Sequence, residues 1–216
     1  MIIAVTNLKG GVGKSTLSQN IAVGLSNYYK VCLVDTDTNQ SSLQWFGVRE
    51  LESPNLKAVG VTDSTALYKA VKSLDADHDI IVIDGTPSLL KMTTSIILVS
   101  DLLLIPIRPG AHDIRSMDAF FERYHQAKEY KENIPAYFIL NEYDDSRNLH
   151  KGIRKTLVET YDIPLFETTI KSRVAYGEAS VMGMSGYEQG DFRTKFEMIG
   201  LTKEVINKAT ENGLLA

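Results

Sequence analysis

Residues 7–16 read Asn7-Leu8-Lys9-Gly10-Gly11-Val12-Gly13-Lys14-Ser15-Thr16, and they constrain the fold more than any other stretch of the chain. The apolar run Ile2-Ile3-Ala4-Val5 precedes them, and Leu17, Ile21 and Leu25 follow at helical spacing. Strand, glycine-rich turn and helix in that order form the frame of a phosphate-binding loop. The glycines leave no side chain in the way of an anion. The N–H groups of such a turn converge as a nest, and the helix that starts near Lys14 adds the positive end of its dipole. Lys14 is placed to reach the β- and γ-phosphates, and the Ser15 hydroxyl to ligate Mg²⁺. A glycine-rich turn with an incidental lysine is the alternative; the position of Gly-Lys-Ser-Thr at the strand-to-helix junction argues against it.

Strand and helix patterns then alternate along the chain. Val31 to Val34 is an apolar strand that ends in Asp35-Thr36-Asp37-Thr38-Asn39-Gln40-Ser41. Carboxylates at the end of a parallel strand stand where doubly wound sheets hold their ligands. The alternative for Asp35 and Asp37 is capping of the next helix. That helix is short, Leu43 to Phe46, with Trp45 as a packing residue. Leu56 to Val61 reads as a strand, and Ser64 to Leu74 as a helix with Leu67, Val71 and Leu74 on one face. Asp79-Ile80-Ile81-Val82-Ile83-Asp84 has the form of a strand buried on both faces, with Asp84 emerging beside the phosphates to hold a Mg²⁺-bound water. Further strands are expected over Asp101 to Pro106 and Tyr137 to Leu140.

A helix is expected over Ile114 to Tyr130, capped by Asp113, with Ile114, Met117, Phe121 and Tyr124 inward and His112 at the surface. Another is expected over Asn148 to Thr160, with Ile153 and Leu157 inward, and Phe192, Phe196, Ile199 and Ile206 suggest a closing helix that packs on the sheet. The fold class is therefore α/β: a doubly wound, mostly parallel sheet flanked by helices on both faces, with residues 1–216 as one domain.

A loop of the ordinary Gly-x4-Gly-Lys-Ser form would have glycine at position 8; this chain has Leu8 there and Lys9 next to it. Lys-Gly-Gly-Val-Gly-Lys-Ser-Thr resembles the deviant Walker A loop of the ParA/MinD family of ATPases. The resemblance continues at Asp35-Thr36-Asp37, where the family usually has Asp-x-Asp-Pro-Gln and this chain has Thr38 in place of proline. It continues again at Asp84-Gly85-Thr86-Pro87, and at Arg173-Val174-Ala175-Tyr176-Gly177-Glu178-Ala179 with Gly183 beyond.

It implies ATP and Mg²⁺ as ligands, with Lys9, Gly10, Gly11, Val12, Gly13, Lys14, Ser15 and Thr16 around the phosphates. It implies that Lys9 reaches across a homodimer to the ATP of the other subunit. It implies that Asp37 orients the attacking water and, like Asp84, meets Mg²⁺ through water, that Asp35 supports the loop, and that the segment after Asp84 senses the γ-phosphate. Asn141, after a late strand, resembles the family's adenine contact, although asparagine is also an ordinary turn residue.

Within the family the resemblance is to short ParA partition ATPases, with no N-terminal helix-turn-helix domain expected ahead of Met1. The implied activity is weak intrinsic ATP hydrolysis. An ATP-bound sandwich dimer would hold DNA without sequence preference, and a centromere-bound ParB-like partner would stimulate hydrolysis and release it. Arg173, with Lys171 beside it, is the candidate DNA contact. Residues 147–173 hold Arg147, Lys151, Arg154, Lys155, Lys171 and Arg173 against Glu159, Asp162 and Glu167, so the window is locally basic; an ordinary solvated face is the alternative.

Charge is informative because the whole chain is not basic: its net charge is −4, so DNA binding must come from a local patch. The single cysteine, Cys32, lies inside an apolar strand and excludes an intrachain disulfide and the paired cysteines of an iron–sulfur carrier. No signal peptide is visible, no apolar run nears the ~20 residues that span a bilayer, and residues 203–216 are not the strongly basic amphipathic tail of MinD-like proteins. A cytoplasmic, nucleoid-associated location without membrane attachment is expected. A MinD-like positioning ATPase and an ATP-sensing regulator that does not bind DNA are the rival readings.

Overall fold

The computed structural model describes residues 1–87, 90–110 and 117–215. Six strands, β1 (Ile2–Val5), β2 (Val31–Asp35), β3 (Leu56–Gly60), β4 (Ile80–Asp84), β5 (Leu102–Ile107) and β6 (Ala136–Leu140), form one sheet in the order β3-β2-β4-β1-β5-β6. Every pairing is parallel. Parallel strands need long crossovers, and those crossovers cover both faces. This explains why β2, β4 and β5 read as unbroken apolar runs.

The helices among the described residues are α1 (Lys14–Ser26), α2 (Ser41–Gly47), α3 (Leu67–Asp75), α4 (Leu90–Val99), α5 (Asp118–Lys128), α6 (Asn148–Tyr161), α7 (Val174–Val181) and α8 (Phe192–Glu211). Alternate strand residues serve two cores. Ala4, Cys32, Val34, Ile81, Ile83 and Phe138 face one layer, built from α3 to α6. Ile3, Val5, Leu33, Val82 and Ile139 face the other, where Leu17, Ile21 and Leu25 of α1 meet Met198, Leu201 and Val205 of α8. Cys32 is fully buried and its thiol is pushed up to about 11 by that burial, which suits a packing role. Trp45 is buried too, its indole N–H donating to the Met184 carbonyl at 3.1 Å.

Several boundaries differ from the sequence reading for local reasons. α3 starts at Leu67 because Asp63 forms a turn that accepts from the Thr65 N–H and hydroxyl, both at 2.8 Å. α4 gave no readable signal. Leu-Lys-Met-Thr-Thr-Ser-Ile-Ile-Leu-Val is rich in β-branched residues and apolar on nearly every side, so neither propensity nor period marks it as helix. The expected start of a helix at Ile114, with Asp113 as cap and His112 at the surface, falls on positions outside the described residues; α5 runs from Asp118. α8 exists, but its inward face is Thr194, Met198, Leu201, Thr202, Val205 and Ala209. Phe192 and Phe196, expected to pack on the sheet, are exposed instead. Leu201 and Val205 set the phase of a twenty-residue helix, and the two phenylalanines fall on its opposite side.

Candidate functional site

The C-terminal ends of β1, β2 and β4 come together where the strand order doubles back, the usual ligand crevice of an open α/β sheet. Register brings Val5 and Asp35 opposite Asp84. The loop after β1 turns back through Gly11 and Gly13, at φ +74° and +94°, and leads into α1. No side chain caps the start of α1, so its first N–H groups face the loop's hollow.

Asn7 sets the loop's entry. Its amide donates to the Pro106 carbonyl at 2.8 Å and its carbonyl accepts from the Lys9 N–H at 2.9 Å. Lys14 is 6% exposed, and its ammonium donates to the Lys9 carbonyl at 2.7 Å. Burial lowers its pKa to about 8, against the pull of Asp84 and Asp37. Asn141, at the end of β6, donates from its amide to the Val12 carbonyl at 2.9 Å and so supports the loop. A Cβ on Gly13 would lie 2.1 Å from that amide nitrogen. Gly13→Ala is therefore expected to weaken nucleotide binding at least about tenfold, since a left-handed alanine alone costs roughly 1–2 kcal/mol. Fluorescent-nucleotide titration reads it; unchanged affinity would mean that the loop accepts a side chain and that Asn141 can move away.

The acids sort by their partners. Asp35 is fully buried, and its carboxylate accepts from the Ser42 and Leu43 N–H groups at 2.8 and 2.9 Å and from the Asp37 N–H at 3.0 Å. It is thus the residue that caps α2 and pins the loop. Burial pushes its pKa up against those three bonds. Asp37 does not cap α2. It accepts from the Asn39 N–H at 2.9 Å and from the Thr86 hydroxyl at 3.3 Å, and it lines the open pocket. Gln40, at φ 52°, turns the chain into α2.

Asp84 is buried at the floor, between the Ser42 hydroxyl at 2.6 Å and the Ser18 hydroxyl at 3.2 Å. Its pKa is pushed up to about 6 by burial, opposed by hydrogen bonds from Ser42, Ser15 and Ser18. The Gln19 amide holds Ser42 in turn, at 3.1 Å. Neither Ser18, Ser42 nor Gln19 carries a sequence signal, because a serine in a helix reads as neutral until the sheet places an acid beside it.

A pocket of about 430 Å³ extends from this floor. Gly11, Gly13, Lys14, Ser15, Thr16 and Asp37 line it together with Asn141, Lys171, Arg173, Tyr176 and Met198. The sequence had suggested Lys171 and Arg173 as surface cations for DNA. Arg173 forms an ion pair with Glu197, its Nε at 2.9 Å, and Glu197 also accepts from the Tyr176 hydroxyl at 2.7 Å. Lys171 pairs with Asp145 and lies over the Tyr143 ring. Arg147, Arg154 and Lys155 are paired with Asp144, Glu167 and Glu159. The basic excess of 147–173 is answered by Asp144 and Asp145, just before the window, and by Glu197 on α8.

Arg108 was also outside the sequence reading. It pairs with Glu142 and donates to the Gly11 carbonyl at 3.3 Å, closing the mouth of the loop.

Known proteins match this arrangement. Residues 3–185 fit the CobQ/CobB/MinD/ParA nucleotide binding domain. The chain is 30% identical over 189 residues to the maintenance of carboxysome distribution protein A of Halothiobacillus neapolitanus, covering 87% of each chain. It is 26% identical over 180 residues to protein ParA of Rhizobium radiobacter, covering 81% of this chain and 80% of that one. In three dimensions it overlays the septum site-determining protein MinD of Pyrococcus horikoshii, complexed with Mg-ADP, with a TM-score of 0.79 at 21% identity over 98% of both chains.

Proposed function

The chain belongs to the ParA/MinD family of nucleotide-binding proteins, and from that premise we propose that it is an ATPase that partitions DNA. ATP would assemble two copies into a sandwich dimer, the dimer would hold DNA without sequence preference, and hydrolysis stimulated by a ParB-like partner would release it. The observation that carries this reading is a buried, desolvated Lys14 at an uncapped helix start, with Lys9 on the same turn, Asp37 lining the pocket and Asp84 buried at its floor.

The residues fit a Mg²⁺–triphosphate. Gly10 to Thr16 offer backbone N–H groups and Lys14 the ammonium, and Asn141, which lines the same pocket, is read as the adenine contact. The oxygens of Ser15, Asp84 and Asp37 suit Mg²⁺, the two acids through water. No three His, Cys, Asp or Glu side chains among the described residues form a closed metal cage, and Mg²⁺ in such sites takes its remaining oxygens from phosphate and water. Mg²⁺ supplies charge neutralisation on the phosphates. Ser42 and Ser18 hold Asp84 in place, and Thr86 joins the segment after β4 to Asp37, so a change at the γ-phosphate has a direct route into the loop.

No described helix is long and apolar enough to cross a membrane. We read residues 1–216 as one ATPase domain, working in the cytoplasm on the nucleoid. The similarity to a carboxysome distribution protein supports a second reading, in which the same dimer cycle positions a cargo other than DNA. DNA retention with ATP, ADP or no nucleotide at two salt concentrations tests the first. ATP-dependent, salt-sensitive retention indifferent to sequence is expected; retention blind to nucleotide would refute it.

Lys9 is assigned to the partner's nucleotide. Lys9→Ala is expected to leave ATP affinity within about threefold of wild type, roughly 0.6 kcal/mol, while abolishing the ATP-induced dimer in light scattering. A dimer that survives the change would remove Lys9 from the interface.

A further inference from the structure

The outward face of α8 is unlike the rest of the surface. Phe192 and Phe196 are 73% and 65% exposed, with ring centroids 5.6 Å apart. They stand about one helical turn apart, and Lys203 falls on the same line about two turns beyond Phe196. Arg193 flanks this line on one side and Lys195 on the other. The phenylalanines border a shallow groove of about 470 Å³ whose wall includes Thr168, Arg173, Arg193 and Gly200.

The basic side chains on this face outnumber its acids, of which Glu197 lines the groove itself. The neighbouring acids are turned inward: Glu197 holds Arg173, Tyr176 and the Lys171 N–H, and Glu204 accepts from the Glu167 and Thr168 N–H groups. Asp191 caps α8 through the Arg193 and Thr194 N–H groups. Arg193, Lys195 and Lys203 form no ion pair with any described carboxylate, and all three are exposed. Two aromatic rings with a basic rim that forms no ion pair call for an occupant that is apolar along one stripe and acidic beside it. Duplex DNA meets the charge, but contact with its phosphates alone leaves the rings uncovered.

We propose that this groove docks an acidic amphipathic helix of a partner protein, with two apolar anchors about one turn apart set between Asp or Glu residues. The anchors lie along Phe192 and Phe196, over the space left open by Gly200. The acids meet Arg193, Lys195 and Lys203. Arg173 lines both this groove and the pocket beside Lys14, so an occupant lies against a residue of the nucleotide pocket's wall. Docking itself requires neither ATP nor hydrolysis, so it stands apart from the partition reading.

The test uses the full chain and a displayed library of 16-residue helical peptides, selected on wild type and counter-selected on Phe192→Ser/Phe196→Ser. Both positions are exposed, and the circular dichroism and melting of that variant should match wild type. The expected result is enrichment of peptides with apolar residues at i and i+4 among acids. Their affinity should drop at least tenfold on the serine variant and on Arg193→Glu/Lys195→Glu, and at least tenfold when the peptide acids become lysine. Enrichment of basic peptides, or of none that distinguish the serine variant, would overturn the proposal. Loss of DNA retention in the serine variant would assign the face to nucleic acid instead. A nucleotide-free dimer of wild type that the serine variant abolishes would assign it to a second copy of the chain.

Discussion

Lys14→Ala lowers affinity for ATP and ADP by at least about a hundredfold, to the point where titration at micromolar protein detects no saturation. The size follows from the environment. Lys14 is almost wholly withdrawn from water, its ammonium donates to the Lys9 carbonyl, and it has two further protons to direct at phosphate oxygens. Removing one member of a buried, hydrogen-bonded charge pair costs about 3–5 kcal/mol, which is more than two decades in affinity. Lys14→Arg should fail nearly as badly, because a planar fork does not fit a niche shaped for a compact ammonium.

The same burial gives a pH signature. With its pKa lowered to about 8 in the empty protein, Lys14 is charged below that value and increasingly neutral above it. A bound phosphate favours the charged form, so binding above pH 8 takes up a proton, and affinity falls as pH rises through and beyond 8. Lys14→Ala removes that slope along with the affinity. Saturable ATP binding by the alanine variant at wild-type strength would take Lys14 out of the site altogether.

The sheet, its parallel order and the loop at its centre were legible because each rests on local pattern: an apolar run, three glycines, a helical period starting at Leu17. Asp35 was legible only as a choice between two roles, since either acid of Asp35-Thr36-Asp37 satisfies the spacing for a cap. The choice is decided by register, which sets Asp35 against Asp84 in the sheet and aims its carboxylate at the first turn of α2. The ion pair of Arg173 was illegible for the opposite reason. Its nearest acid in space, Glu197, lies twenty-four residues away in sequence and on another helix, so a window of charge cannot register it. Asn7, Ser18, Ser42 and Arg108 act through partners between about 35 and 110 residues distant or wholly inside the floor of the pocket, and no short pattern encodes that kind of contact.

Asp37→Ala should retain ATP binding and lose hydrolysis by about a hundredfold or more, within the range for removing a group that positions a proton or a nucleophile. In the proposed cycle the variant would then remain in its ATP-bound state, and DNA retention in ATP would persist after partner addition. Asp37 does two things that alanine removes together: it supports the Asn39 turn, and it presents a carboxylate beside Thr86. Asp37→Asn separates them. An asparagine carbonyl can still accept from the Asn39 N–H, so the turn survives, but the negative charge is gone. If the charge orients water and meets the Mg²⁺ shell, asparagine is as inactive as alanine in single-turnover phosphate release while the thermal melt stays at the wild-type value. If asparagine hydrolyses ATP normally and alanine does not, Asp37 is a turn former, and the residue that positions water must be sought elsewhere on the pocket floor. Normal hydrolysis by both variants would remove Asp37 from the chemistry and leave the loop before α2 with a purely structural part.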